Sequence, residues 1–166
     1  MIRCSKSIWG SLDGGFNVET DTGETITGAA VIYAGGPGAL QPQPLIAAGM
    51  ERLKGGVSYA RSDAIAAAGK RVAVFGDGEA AIDQALEAAR AARSVSLIHA
   101  APLRAAGARI ADLNRAAAAR RLTVIQGDVA EVHANEGRLS RIDVAANGAR
   151  QGHDVDLLLV QAGLRY

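Results

Sequence analysis

Gly76, Gly78 and Ala81 stand as G-x-G-x-x-A inside the stretch Arg71 to Glu87, RVAVFGDGEAAIDQALE. This spacing suits the grip of a dinucleotide pyrophosphate. The first glycine allows a sharp turn. The second lets the backbone approach the phosphates with no Cβ in the way. The small third residue lets the following helix pack closely on its sheet. Asp77 fills the turn, and Glu79 and Ala80 open the helix, whose free N–H groups and positive dipole end would face the anion. Two further groups belong to the same chemistry. His99 and Arg104 follow the next apolar run, where the adenosine end of such a ligand is read, and Ala162-Gly163 follow the last one. An NAD site places an acid about 20 residues after the glycine motif, and an NADP site places arginines there. Ser96 to Ala101 holds no acid, and only Arg104 and then Arg109 are close enough to meet a 2′-phosphate. The choice between NAD and NADP stays open on these residues. So does a plainer reading, in which His99 caps the strand and Arg104 lies on the surface.

No other chemistry stands out. No nucleophile sits beside a base, and no carboxylates are paired at catalytic spacing. The single cysteine, Cys4, excludes an internal disulfide, a C-x-x-C redox pair and a cysteine metal cage. His99, His133 and His153 are far apart in sequence, so no metal site and no catalytic residue is expected. That pattern fits hydride transfer, in which a cofactor supplies the reactivity and the protein positions it.

The elements needed to position these residues are legible. Val72 to Phe75 reads as a buried strand, about 78–91 as an alanine-rich helix, and Val95 to Ile98 as a second strand, together one βαβ unit. Ala105 to Arg120 reads as a second helix, Leu122 to Ile125 as a third parallel strand, and Asp156 to Val160 as a last buried strand. Gly127 to His133 and Arg138 to Ala145 form a hairpin around Asn135-Glu136-Gly137, and Asn147-Gly148 is a further turn. Upstream, Ile2 to Trp9, Phe16 to Thr20 and Thr25 to Thr27 read as an antiparallel meander turned at Leu12 to Gly15 and Asp21 to Glu24. Ala29 to Ala34 reads as a buried strand. Pro37 to Pro44 holds three of the four prolines and suits neither helix nor central strand. Val57 to Tyr59 is a short strand, and Ser62 caps a short helix that Gly69 closes after Ala68. The fold class is therefore α/β: a Rossmann-like parallel sheet with an antiparallel β-meander, preceded by an N-terminal β flap.

The totals set bounds. The chain has 166 residues, 49% hydrophobic and 21% charged, which makes it globular. Aromatics are 4%, so alanine and the branched aliphatics must fill the core. A net charge of +1 gives no support to nucleic-acid binding. Arg115, Arg120 and Arg121 read as a solvated helix face. No apolar run reaches the length of a membrane span and the N-terminus lacks a secretory signal, so the cytoplasm is the expected location.

Several stretches, taken in order, resemble one family. They are FNVETDTGE from Phe16, AAVIYAGGPGALQPQPL from Ala29, GGVSYARSD from Gly55, GKRVAVFGDGEAAIDQALEAA from Gly69, SVSLIHAAPLRA from Ser94 and DLLLVQAG from Asp156. They resemble the NAD(P)H-binding domain of thioredoxin-reductase-like flavoproteins, of the pyridine nucleotide-disulfide oxidoreductase family. Within these, the chain is most similar to ferredoxin (flavodoxin)–NADP reductases. The resemblance implies NAD(P)H held at residues 76–81, FAD in the complete enzyme, and a ferredoxin- or flavodoxin-like acceptor.

Three departures qualify what it implies. The thioredoxin reductases carry C-x-x-C after a GVSY-like strand, whereas Tyr59 is followed by Ala60-Arg61-Ser62-Asp63, so dithiol chemistry is excluded. The family's His-Arg-Arg is here His99-Ala100-Ala101, which removes the expected 2′-phosphate grip. The family's FAD domain flanks the nicotinamide domain in sequence, so residues 1–45 are expected to be a remnant of its β segment and crossover linker, and 46–166 the Rossmann-like domain. A flap of that kind is expected to leave apolar surface that drives homodimerisation, and the chain is not expected to hold FAD by itself. Two other classes compete: a non-catalytic nucleotide-binding or interaction domain, which the missing arginines favour, and a methyltransferase, which the closing hairpin and the absent acid oppose.

Overall fold

The computed structural model describes residues 4–10, 14–20, 22–32, 41–60 and 64–165. The chain divides into two compact units, Met1–Ala39 and Leu40–Tyr166.

The first unit is an antiparallel sheet of β1 (Cys4–Gly10), β2 (Phe16–Thr20) and β3 (Thr25–Gly28). Its register lines Ile8, Val18 and Ile26 across the three strands, and Phe16 shares their face by the two-residue period. Thr20 pins the second turn: its N–H donates to the Glu24 carbonyl at 2.8 Å, and its hydroxyl accepts from the Glu24 N–H at 3.0 Å. The buried strand expected over Ala29 to Ala34 does not form over its described part. Residues 29–32 are exposed and outside any strand, with Ile32 at 92%. An apolar run becomes a strand only where a neighbouring ladder accepts its hydrogen bonds, and no described strand pairs with this one. Tyr33 to Gly36, like Ser62 and the start of its helix, lies outside the described residues.

The second unit carries β4 (Gln41–Pro42), β5 (Val57–Ser58), α1 (Ala64–Ala67), β6 (Arg71–Phe75), α2 (Glu79–Ala88), β7 (Ser94–His99), α3 (Gly107–Ala118) and β8 (Thr123–Gln126). It continues with β9 (Asp128–Asn135), β10 (Arg138–Ala146), β11 (Ala149–Asp154), β12 (Leu157–Val160) and β13 (Leu164–Arg165). A parallel sheet has the order β5-β12-β6-β7-β8, and β9, β10 and β11 form an antiparallel meander. The α/β class, the parallel sheet and the meander are as expected. The third meander strand is an addition. Its sequence, ARQGHD, is nearly all solvent-exposed and polar, so no apolar alternation announces it.

Strand alternation divides the core in two. Val72, Val74, Val95, Leu97 and Leu159 face α2 and α3 and pack on Ala81, Ile82, Ala85, Leu113 and Ala116. The alternate residues Ala73, Ile98, Leu158 and Val160 face the meander and pack on Val129, Val132, Leu139, Ile142 and Val144. A parallel sheet covered on both faces needs continuous apolar runs such as VAVF and LLLV, which is why these strands read so plainly. Burying Ile82 or Leu97, both 0% exposed, stabilises the fold by about 2 kcal/mol each. Alanines, not aromatics, line the buried face of α2: Ala81, Ala85 and Ala88.

Candidate functional site

The site follows from where the strands end. β6 leads through α2 to β7 and through α3 to β8 on one side, while β12 returns on the other side of β6. The carboxyl end of β6 is therefore the point where the direction of winding reverses, the usual place for a ligand in an open parallel sheet. Registers Val160↔Phe75 and Phe75↔Ile98 set Gln161, Gly76 and His99 at the same level, side by side. The sheet thus brings every residue expected at the site to one edge: Gly76 to Ala81 after β6, His99 and Arg104 after β7, and Ala162-Gly163 after β12.

The two glycines do different work. Gly76 has φ +155°, and a Cβ there would lie 2.3 Å from the Gln161 carbonyl oxygen and 3.0 Å from Ala81 Cβ. It is required for strand-to-strand and strand-to-helix approach. Gly78 has φ −96° and ψ 174°, an extended backbone open to any residue, and a Cβ there would meet nothing within 4 Å. Its surroundings are open space at the start of α2, and no side chain caps that helix end. A helix start with uncapped N–H donors and open space at its first glycine suits a phosphate.

Gln161 follows β12 level with Gly76, and its amide Nε2 is shielded from solvent and meets no acceptor among the described residues. Sequence reasoning stopped at Ala162 and missed this residue; its position directly after an apolar strand end was the available signal. A buried donor without a partner is costly to keep.

His99 and Arg104 are both already engaged. His99 Nδ1 lies 2.9 Å from the Ala101 carbonyl oxygen. Arg104 Nη2 donates to both oxygens of Asp77, each at 2.9 Å, and its backbone N–H donates to the Asp77 carbonyl at 2.7 Å. The surface placement of Arg104 holds, since its side chain is 76% exposed, but it is tied to the glycine turn. Arg109 faces the helices instead. Its guanidinium lies 3.2 Å from Asp83, 3.7 Å from Asp112 and 3.9 Å from Glu79, bridging α2 and α3.

A second cluster escaped the sequence. Cross-strand pairing sets His133 opposite Arg141 and Glu131 opposite Asp143. His133 Nε2 lies 2.9 Å from Asp143, and ligand atoms of Glu131, His133 and Asp143 fall within 4.8 Å of one another. Both carboxylates also hold arginines, Asp143 with Arg141 at 3.0 Å and Glu131 with Arg150 at 3.6 Å. Hydrogen bonds from His133 and then Arg141 hold the Asp143 carboxyl below its ordinary range. The histidine spacing hid this group because antiparallel register, not sequence distance, assembles it.

Comparison with known proteins gives the family and the fold. A family model described as pyridine nucleotide-disulphide oxidoreductase matches residues 8–166. The ferredoxin–NADP reductase of Burkholderia vietnamiensis is 37% identical over 156 residues, 92% of this chain and 44% of that protein. That of Acidiphilium cryptum is 35% identical over 167 residues, 98% of this chain and 49% of that protein. The chain thus spans about half the length of the curated relatives it matches. Among solved structures, the thioredoxin reductase of T. acidophilum superposes with a TM-score of 0.78 at 22% identity, over 99% of this chain and 52% of that one. The thioredoxin reductase of Lactococcus lactis gives 0.75 at 20% identity, over 95% and 52%. At those identities the structures speak for the fold.

Proposed function

The chain belongs to the pyridine nucleotide-disulphide oxidoreductase family, and from that premise we propose that it is the NAD(P)H-binding portion of a flavin-dependent reductase. The observation that carries this reading is the open space around Gly78 at the start of α2, a helix end that no side chain caps. In the complete protein the bound nicotinamide dinucleotide would supply a hydride to FAD. This chain's part is to hold and orient. Backbone donors at the start of α2 meet the pyrophosphate, Gly78 admits it, and the ends of β7 and β12 flank it. The relatives' name, ferredoxin–NADP reductase, suggests a ferredoxin-like or flavodoxin-like acceptor for the complete protein.

Residues 1–45 are read as the FAD-side β segment with its linker, and 46–166 as the nucleotide domain. The first unit supports a covered face: Ile8, Phe16 and Ile26 share one side of its sheet and are 46%, 41% and 38% exposed. Burying that face in a homodimer, or against FAD-binding segments, would remove it from water. G-x-G-x-x-A occurs once in the sequence and is assigned here to the nicotinamide dinucleotide, so no residue of this chain is assigned to FAD. The purified chain is expected to show no flavin absorbance band; a stoichiometric band would contradict this.

Calorimetric titration of the chain with NADH and NADPH, with S-adenosylmethionine as control, tests the central claim. Both reduced dinucleotides are expected to bind, and S-adenosylmethionine is not. Because Ala100 and Ala101 offer no charge and Arg104 is already paired, the two affinities are expected to lie within about tenfold, or 1.4 kcal/mol. A larger preference for NADPH sinks this part. The same two alanines favour a second reading, a nucleotide-binding domain that no longer serves catalysis. Hydride delivery to FAD in the complete protein would decide against it.

A further inference from the structure

We propose that Asp77 sets the cofactor preference of this site: by holding Arg104 it keeps that cation from a 2′-phosphate, so NADH is taken at least as readily as NADPH. This rests on the dinucleotide reading above and concerns which dinucleotide the site takes.

The loop from Ala100 to Ala106 contains one charged residue, Arg104. It follows β7, where the adenosine ribose of a dinucleotide is read. That loop and the glycine turn are joined at two levels. The main chain of Arg104 bonds the Asp77 carbonyl at 2.7 Å, and the two strands of chain form a parallel bridge at Gly78 and Arg104. The Arg104 Nη2 then contacts both oxygens of the Asp77 carboxylate at 2.9 Å. The backbone bond fixes the root of the side chain, so the ion pair costs only the freedom of the two side chains themselves. Asp77 is the less exposed partner, at 20% against 76% for Arg104, so the anion is anchored and the cation is drawn to it.

The consequence is electrostatic. A 2′-phosphate adds up to two negative charges near Arg104, and there it meets a guanidinium already neutralised by a carboxylate that repels it. A ribose 2′-hydroxyl adds no charge and suffers no such repulsion. Among the described residues, the other basic groups that flank Arg104 in sequence are engaged elsewhere. Arg109 is committed to Asp83, Asp112 and Glu79, and His99 Nδ1 lies against the Ala101 carbonyl. Asp77 also brings a carboxylate to the end of β7, where residues 96–101 contain none.

The test compares NADH and NADPH binding by calorimetry in the full chain and in Asp77→Asn, Arg104→Gln and the double variant. Asp77→Ser serves as a second replacement, and each variant's thermal melt is recorded. Asp77→Asn and Asp77→Ser are expected to tighten NADPH about fivefold relative to NADH, the scale of an exposed ion pair released to a new anion. Arg104→Gln is expected to weaken both dinucleotides together, since it leaves Asp77 uncompensated beside the phosphates. In the double variant the gain for NADPH is expected to disappear. An unmoved NADPH-to-NADH ratio in folded Asp77 variants overturns the proposal, and so does a gain that persists without Arg104. If neither dinucleotide binds the unmodified chain, the dinucleotide reading itself falls and takes this proposal with it.

Discussion

Gly76→Ala is expected to destabilise the chain by about 3 kcal/mol, while Gly78→Ala leaves the fold intact and weakens dinucleotide binding at least about tenfold. The two residues are separated by one position, yet their surroundings are opposite. A Cβ on Gly76 would sit 2.3 Å from the Gln161 carbonyl oxygen and 2.9 Å from its carbon, so backbone would have to move. The third neighbour, Ala81 Cβ at 3.0 Å, belongs to the first turn of α2. Both obstacles are fixed: Gln161 N–H donates to the Phe75 carbonyl at 2.7 Å, and Ala81 N–H donates to the Gly78 carbonyl at 3.1 Å. Relief would require separating β6 from β12 or lifting α2 off the sheet. Either breaks the packing of Ala81 and Ile82, both 0% exposed. The positive φ of Gly76 adds strain for any L side chain.

Alanine at Gly78 meets nothing within 4 Å and suits φ −96°, so stability should hold or rise by up to about 1 kcal/mol. The added methyl would stand in the space assigned to the pyrophosphate, and affinity should fall at least about tenfold. Thermal melts and titrations of both variants check the contrast. An unchanged melting temperature for Gly76→Ala would contradict the close approach at the strand ends. Undiminished binding by Gly78→Ala would contradict the assignment of that cradle to phosphate.

The residues behind this contrast show what was legible in the sequence. VAVF, VSLI and DLLLV announced themselves because a sheet buried on both faces leaves no polar positions to confuse the pattern. The glycine turn was legible because strand, turn and helix follow one another without a break, so a local rule suffices. Long-range register was not legible. The pairing that sets Gln161 beside Gly76, the Arg104–Asp77 contact and the His133–Asp143 pair all join residues that sequence spacing cannot relate. β11 was missed because its exposed polar residues gain little from burial and are held by the ladder to β10. Residues 29–32 were misread for the converse reason: an apolar run with no ladder in reach stays outside any strand. Local chemistry wrote the cradle plainly, and topology chose its neighbours.

Asp156→Asn is expected to cost about 1 kcal/mol at neutral pH and to flatten the acid limb of the stability curve. Asp156 stands just before β12 at the amino edge of the sheet, opposite the candidate site. It accepts from Arg71 three times: from the backbone N–H at 2.8 Å, from Nε at 3.1 Å and from Nη2 at 2.6 Å. Its own N–H donates to the Arg71 carbonyl at 2.8 Å, so the pair sets the register at which β6 and β12 begin. The Arg71 side-chain and backbone hydrogen bonds lower the Asp156 pKa from 3.8 to about 2. A shift of that size corresponds to at most about 2.5 kcal/mol. The side chain is 39% exposed, so solvent screening reduces the contribution to about 1 kcal/mol. The sign follows from the lowered value. The folded state holds its proton more weakly than the unfolded state, so the stabilisation is fully present above 3.8 and is lost as pH falls through 3.8 toward 2. Asp143, also lowered, adds to the same acid limb and remains in the variant. Denaturant unfolding at a series of pH values down to about 2 should therefore show two curves that differ at neutral pH and converge in acid. A constant gap at every pH would assign the loss to packing and not to the ionised carboxylate. Because the change lies at the far edge of the sheet from Gly78, dinucleotide affinity at neutral pH should be unaltered, which separates the residues that hold the sheet in register from those that hold the ligand.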